Sequence, residues 1–223
     1  MDKALKIVNH LKEIGDEQII EKNIYFGITN EKSLGIKIPE IRKIAKNLKK
    51  DNSLAEELWE SGYYEARVLA TLIAEKEKFT PKQMDAWTNC FLSWAICDAA
   101  CYNLYRYTPY YEEKIFEYVK SDKEFVRRTP FALIAGLAIG RKDIKDEDFL
   151  KYFPLIEEYV FDERTYVWKA ISWALRQMGK RSLFLHLKCL SLSEKLSKNP
   201  NYSKAGKDAF RELSSEKIIQ RIK

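Results

Sequence analysis

The sequence predicts an all-α chain of HEAT or armadillo-like helical hairpins stacked into a superhelix. Helix-start signals recur along the whole chain, while no stretch alternates apolar and polar residues long enough to make a strand. A polar or charged residue followed by a small, apolar run also repeats: Arg67-Val-Leu-Ala-Thr-Leu-Ile, Asp98-Ala-Ala-Cys-Tyr-Asn-Leu, Arg128-Thr-Pro-Phe-Ala-Leu-Ile, Lys169-Ala-Ile-Ser-Trp-Ala-Leu and Asp208-Ala-Phe-Arg-Glu-Leu. The successive intervals, 31, 30, 41 and 39 residues, fit hairpin repeats whose second helices line one concave groove. We expect a single domain of this kind over residues 1–223.

Taken in order, the N-terminal stretch MDKALKIVNHLKEIGDEQ interleaves charges with apolar residues and is not a secretory signal. Ile38-Pro39 opens a helix with proline in its first turn. Ser53-Leu-Ala-Glu56 reads as a capping box, and Thr80-Pro81-Lys-Gln83 as another with proline at the first helical position. Thr108-Pro109 and Ser121-Asp-Lys-Glu124 give two further starts. The longest apolar run, Pro130 to Gly140, is too short to span a bilayer, so a cytoplasmic location is expected.

The four cysteines, Cys90, Cys97, Cys101 and Cys189, form no C-x-x-C pair, and only His10 and His186 are available to complete a zinc site; no metal is expected. Cys97 and Cys101, one helical turn apart, read as small buried apolar residues. The formal charge of +6 is uneven: Lys+Arg against Asp+Glu is 11 to 7 over residues 1–50, 4 to 9 over 51–100, 9 to 9 over 101–150 and 15 to 8 over 151–223. Basic flanks around a different centre suit a polyanion gripped at both ends, and equally an ordinary lysine-rich surface.

The stretch FLSWAICDAACYNL, residues 91–104, places one carboxylate, Asp98, in a segment otherwise composed for burial. As a helix it sets Trp94 and Asp98 on one face, four residues apart. A carboxylate there caps a neighbouring helix, pairs with an arginine, or faces a groove in which it has a task. If the second helices line one surface, Arg67, Asp98, Arg128 and Lys169 open them and converge there, with Arg176 two turns on. Trp94, Tyr102, Trp168 and Trp173 accompany them. Cations interleaved with aromatic faces suit a sugar-phosphate backbone.

The blocks LGIKIPEIRKIAK (34–46), LWESGYYEARVLA (58–70), SWAICDAACYNL (93–104), EFVRRTPFALIA (124–135), DERTYVWKAISWALRQMGKR (162–181) and KDAFRELSSEKI (207–218) resemble the DNA alkylation repair proteins of the AlkD type. The resemblance implies HEAT-like repeats and a monofunctional, monomeric glycosylase without cofactor or metal, acting on double-stranded DNA that contains N3- or N7-alkylated purines. It places the catalytic tryptophan and aspartate on Trp94 and Asp98. The active-site arginine falls on Arg128, with Arg127 the alternative, and the later aromatic and arginine fall on Trp173 and Arg176. Tyr25 takes the place of a family tyrosine, and Lys169, Arg127 and Arg67 join the DNA-facing set. One departure is Ala95, where the family usually carries an acid.

An alkylated purine of this kind already bears a positive charge and leaves without protonation. The protein's contribution is then a preorganised carboxylate, Asp98, facing the developing sugar cation, and no deep base pocket is required. The competing expectation is a non-catalytic helical scaffold that binds nucleic acid or protein. Asp98 separates the two, because a groove that only grips phosphates gains nothing from a carboxylate.

Overall fold

The computed structural model describes residues 3–199 and 203–222. Its helices are α1 (Lys3–Glu13), α2 (Glu17–Tyr25), α3 (Ile38–Lys46), α4 (Asn52–Glu60), α5 (Tyr64–Ile73), α6 (Pro81–Asn89), α7 (Trp94–Asn103), α8 (Tyr111–Tyr118), α9 (Glu124–Gly140), α10 (Phe153–Tyr159), α11 (Thr165–Gly179), α12 (Leu183–Ser197), α13 (Lys204–Leu213) and α14 (Glu216–Ile222). Two 3₁₀ segments, Tyr105–Tyr107 and Asp146–Tyr152, lie between them. Among the described residues there is no strand beyond an isolated bridge between Lys32 and Tyr63, and no helix is long and apolar enough to cross a membrane.

The chain forms two compact units, Met1–Glu112 and Glu113–Lys223. In the first, α5 packs against α3, α4 and α7; in the second, α11 packs against α9, α12 and α13. The repeated residues fall on alternate helices: Arg67 is the fourth residue of α5, and Asp98, Arg128, Lys169 and Asp208 are each the fifth of α7, α9, α11 and α13. They therefore sit one turn inside their helices rather than at the start. That register follows from the repeat itself, because the same turn of each hairpin meets the next one.

Of the expected helix starts, Thr80 caps α6 in a complete capping box with Gln83, and Pro39 lies in the first turn of α3. The others differ. Asp51, not Ser53, caps α4 by accepting from the Leu54 amide at 3.0 Å. Glu56 turns instead to the buried Trp87 indole, with both carboxylate oxygens 3.3 Å from Nε1. At α9 the flanking residue is Lys123 without a side-chain cap, and Glu124 accepts from the Tyr166 amide at 3.0 Å. Helix α8 begins at Tyr111, beyond Thr108-Pro109.

The first unit's core is aromatic. Trp59 and Trp87 stack with ring centroids 4.0 Å apart, and Phe79 meets Trp87 edge-on at 4.8 Å. Each such pair adds about 1 kcal/mol beyond its buried area. Cys97 and Cys101 are buried, as small apolar residues should be. In the second unit, Pro130 to Ala138 form the buried interior of α9, which packs against α11.

One backbone corner needs glycine. Gly35 has φ +78°, and a Cβ there would stand 2.0 Å from the Asp16 carbonyl oxygen. Its amide donates to the fully buried Glu65 at 2.8 Å, so the 33–36 segment is clasped by a carboxylate on α5.

Candidate functional site

Ser93 caps α7 and fixes where its first turn begins. Its hydroxyl accepts from the Ile96 amide at 3.4 Å and donates to Glu31 Oε1 at 2.9 Å. Trp94 follows directly. Its indole N–H donates to the Phe26 carbonyl at 3.0 Å, which ties α7 to the C-terminal end of α2. Tyr25, the last residue of α2, meets Phe26 edge-on at 5.2 Å, and the two are 84% and 64% exposed. Asp98 lies one turn beyond Trp94, half-buried, while the intervening Ala95, Ile96 and Cys97 are buried. Ala95 thus occupies a position where the acid expected from the resemblance would be buried.

Three carboxylates act on the Tyr64 hydroxyl. Burial above all, and then the charges of Glu65, Glu31 and Asp98, push the Tyr64 hydroxyl well above its ordinary range and keep it neutral. Glu65 is fully buried and saturated with donors: the Ser33 hydroxyl and the amides of Leu34 and Gly35, each at 2.8 Å, and the Ile36 amide at 3.3 Å. Glu31 is less well served. Arg67 Nη1 stands 3.6 Å from its Oε2, which has no hydrogen-bond partner among the described residues, and burial raises the Glu31 carboxyl against the lowering pull of Ser93 and Arg67. Of these three carboxylates only Asp98 is half open to solvent.

Arg67 belongs to this network: its Nε donates to the Trp59 carbonyl at 3.3 Å and its guanidinium lies over the Trp59 ring at 5.3 Å. The structure therefore brings Tyr25, Arg67, Trp94 and Asp98 into the first unit, with Arg67 turned toward a carboxylate.

The second unit carries Arg127, Arg128, Lys169, Trp173 and Arg176 on the packed pair α9 and α11. Arg127 has a local partner at each nitrogen: the Ser121 carbonyl at 2.7 Å, Asp162 at 3.1 Å and Asp122 at 3.4 Å. Arg128 is buried and donates to the Tyr166 carbonyl at 2.6 Å, holding the first turn of α11. Arg176 reaches α13, pairing with Glu212 at 2.5 Å and Asp208 at 3.7 Å. Burial alone would raise the Glu212 carboxyl, but hydrogen bonds and charge from Lys180 and Arg176 outweigh it and hold Glu212 below its usual range. Lys169 is exposed, 5.8 Å from the Trp168 ring, and Trp173 is half-buried.

Sequence reasoning passed over Glu31, Glu65 and the Phe26 carbonyl. Glu65 carried a signal, the one carboxylate within the largely apolar Tyr64–Ile73 helix. Glu31, between Asn30 and Lys32, and a backbone oxygen carried none. Among the described residues no group of three His, Cys, Asp or Glu side chains is arranged to hold a metal.

The model of one family, described as DNA alkylation repair enzyme, matches residues 7–219. A solved structure, from a new family of proteins related to the HEAT-like repeat DNA glycosylases with affinity for branched DNA structures, superimposes with a TM-score of 0.81. The match covers 100% of this chain and 96% of that one at 20% identity, and it establishes the HEAT-like fold. No curated protein sequence matches the chain.

Proposed function

Because the chain belongs to the DNA alkylation repair enzyme family, we propose that it is a DNA glycosylase that hydrolyses the N-glycosidic bond of N3- and N7-alkylated purines in duplex DNA. The observation that carries this reading is the half-open Asp98 one turn beyond Trp94, on the helix that Ser93 caps. A carboxylate in that position repels phosphate and favours a cation. The alkylpurine leaves with the electron pair of the breaking C1′–N bond and becomes neutral, while positive charge develops on the sugar. Asp98 stabilises that charge and accepts a proton from the water whose oxygen bonds to C1′. Trp94, its ring fixed by the Phe26 carbonyl, and the exposed Tyr25 offer π faces to the cationic nucleotide.

The DNA backbone is engaged by the exposed Lys169, with Trp173 on the same helix, while Arg176 ties α11 to α13 through Glu212 and Asp208. Arg67, Arg127 and Arg128 act as ties within their own units, to Glu31, to Asp162 and to the Tyr166 carbonyl. The protein acts as a monomer, and no cofactor takes part.

The test is a duplex with one 7-methylguanine, incubated with protein and then treated with alkali to cleave abasic sites. Wild-type protein should yield strand breaks, and Asp98→Asn should excise at least about tenfold more slowly while keeping its melting temperature and duplex affinity. Full excision by folded Asp98→Asn protein removes the catalytic role. If Asp98 serves only stability, excision, binding and melting temperature decline together.

The structural neighbour's family favours a second reading, in which this chain binds branched DNA and breaks no bond. A wild-type protein that leaves 7-methylguanine intact and prefers a four-way junction to the matched duplex would establish it.

A further inference from the structure

A cleft of about 520 Å³ in the second unit is lined by Trp168 on α11 and by Lys204, Lys207, Asp208 and Arg211 on α13. Its volume is in the range of small-ligand sites. Lys204, Lys207 and Arg211 recur at i, i+3 and i+7 on α13 and are all exposed, so they form one cationic stripe. The single carboxylate does not offset it. Asp208 accepts from the Ser172 hydroxyl at 2.6 Å and from Arg211 at 2.6 Å, so it holds Arg211 in place at the rim. Opposite this stripe stands the half-buried Trp168 indole.

Cations alone would suit any polyanion, but the indole narrows the choice. In an intact duplex the bases are stacked on one another, and the phosphates that reach such a cleft gain little from an aromatic wall. An unpaired strand presents phosphates to the cations and a free base to the ring at once. We propose that this cleft binds single-stranded DNA, with Trp168 stacking one base and Lys204, Lys207 and Arg211 holding the phosphates on either side. The site is separate from the Asp98 chemistry and does not depend on it.

The experiment measures binding of the full-length protein to a fluorescently labelled oligothymidylate and to a duplex of equal length, by anisotropy at several salt concentrations. Trp168→Ala should weaken the oligothymidylate roughly tenfold and the duplex much less, and Trp168→Phe should restore most of the loss. Lys204→Gln with Lys207→Gln should lower the salt slope for oligothymidylate by about two. Equal losses on both DNAs in Trp168→Ala, no loss at all, or failure of Trp168→Phe to recover binding would overturn the assignment. The phenylalanine variant keeps the test decisive should alanine unfold the protein. Trp168-dependent single-strand binding in a protein that leaves 7-methylguanine intact sustains this site and removes the glycosylase reading. Excision without such binding does the reverse.

Discussion

Replacing Glu65 with glutamine changes one atom at the most heavily used side chain of the first unit. The carboxylate takes four donors: Ser33 Oγ, Gly35 N and Ile36 N on Oε1, and Leu34 N on Oε2. A glutamine must place its NH₂ toward one of these oxygens' partners, and all of them are donors. The less costly orientation sets NH₂ against the Leu34 amide, losing one charge-assisted bond and weakening three. Hydrogen bonds to a charged group contribute about 1.5–3 kcal/mol against about 1 for neutral ones, so the loss comes to about 4 kcal/mol. Because the side chain is fully buried, water cannot replace the missing partner. For a chain of this length each kcal/mol moves the midpoint by about 2–4 °C, which predicts a melting temperature lower by about 8–16 °C. Thermal melts followed by far-ultraviolet circular dichroism measure it, with Glu13→Gln, an exposed carboxylate, as control. A Glu65→Gln protein that melts within about 2 °C of wild type would refute the view that this carboxylate clasps the 33–36 segment.

Two carboxylates with opposite shifts should give opposite pH behaviour. Burial raises Glu31, so its contribution is present in acid and lost as pH rises through its folded pKa; the stability of wild type relative to Glu31→Gln should fall as pH rises above 4.5 in urea titrations. A difference that stays flat counts against that assignment. Glu212 is held low, so its contribution is present above 4.5 and lost on acidification; the advantage of wild type over Glu212→Gln at neutral pH should shrink as pH drops below that value. Duplex affinity should be independent of sequence and fall steeply with salt, since residues 180–223 alone carry eleven Lys+Arg against four Asp+Glu. Affinity that barely changes with salt would point to a protein partner.

What the sequence determined by itself was local and periodic. The alternation of hairpins, the common register of Arg67, Asp98, Arg128, Lys169 and Asp208, the Thr80 capping box and the one-turn spacing of Trp94 from Asp98 all follow from interactions within a few residues or from the repeat. The partners of the charged side chains were decided only by tertiary packing. Glu56 left its expected cap for Trp87, Arg67 turned to Glu31, Arg176 to α13, and Glu65 reached back to a loop about thirty residues earlier. A hydrogen bond or ion pair forms with whichever group the packing of neighbouring helices brings within about 3 Å. Helical periodicity says which face a side chain occupies and nothing about what the next helix presents to it, so the same arginine reads in sequence as a phosphate ligand and in the fold as a tie between helices.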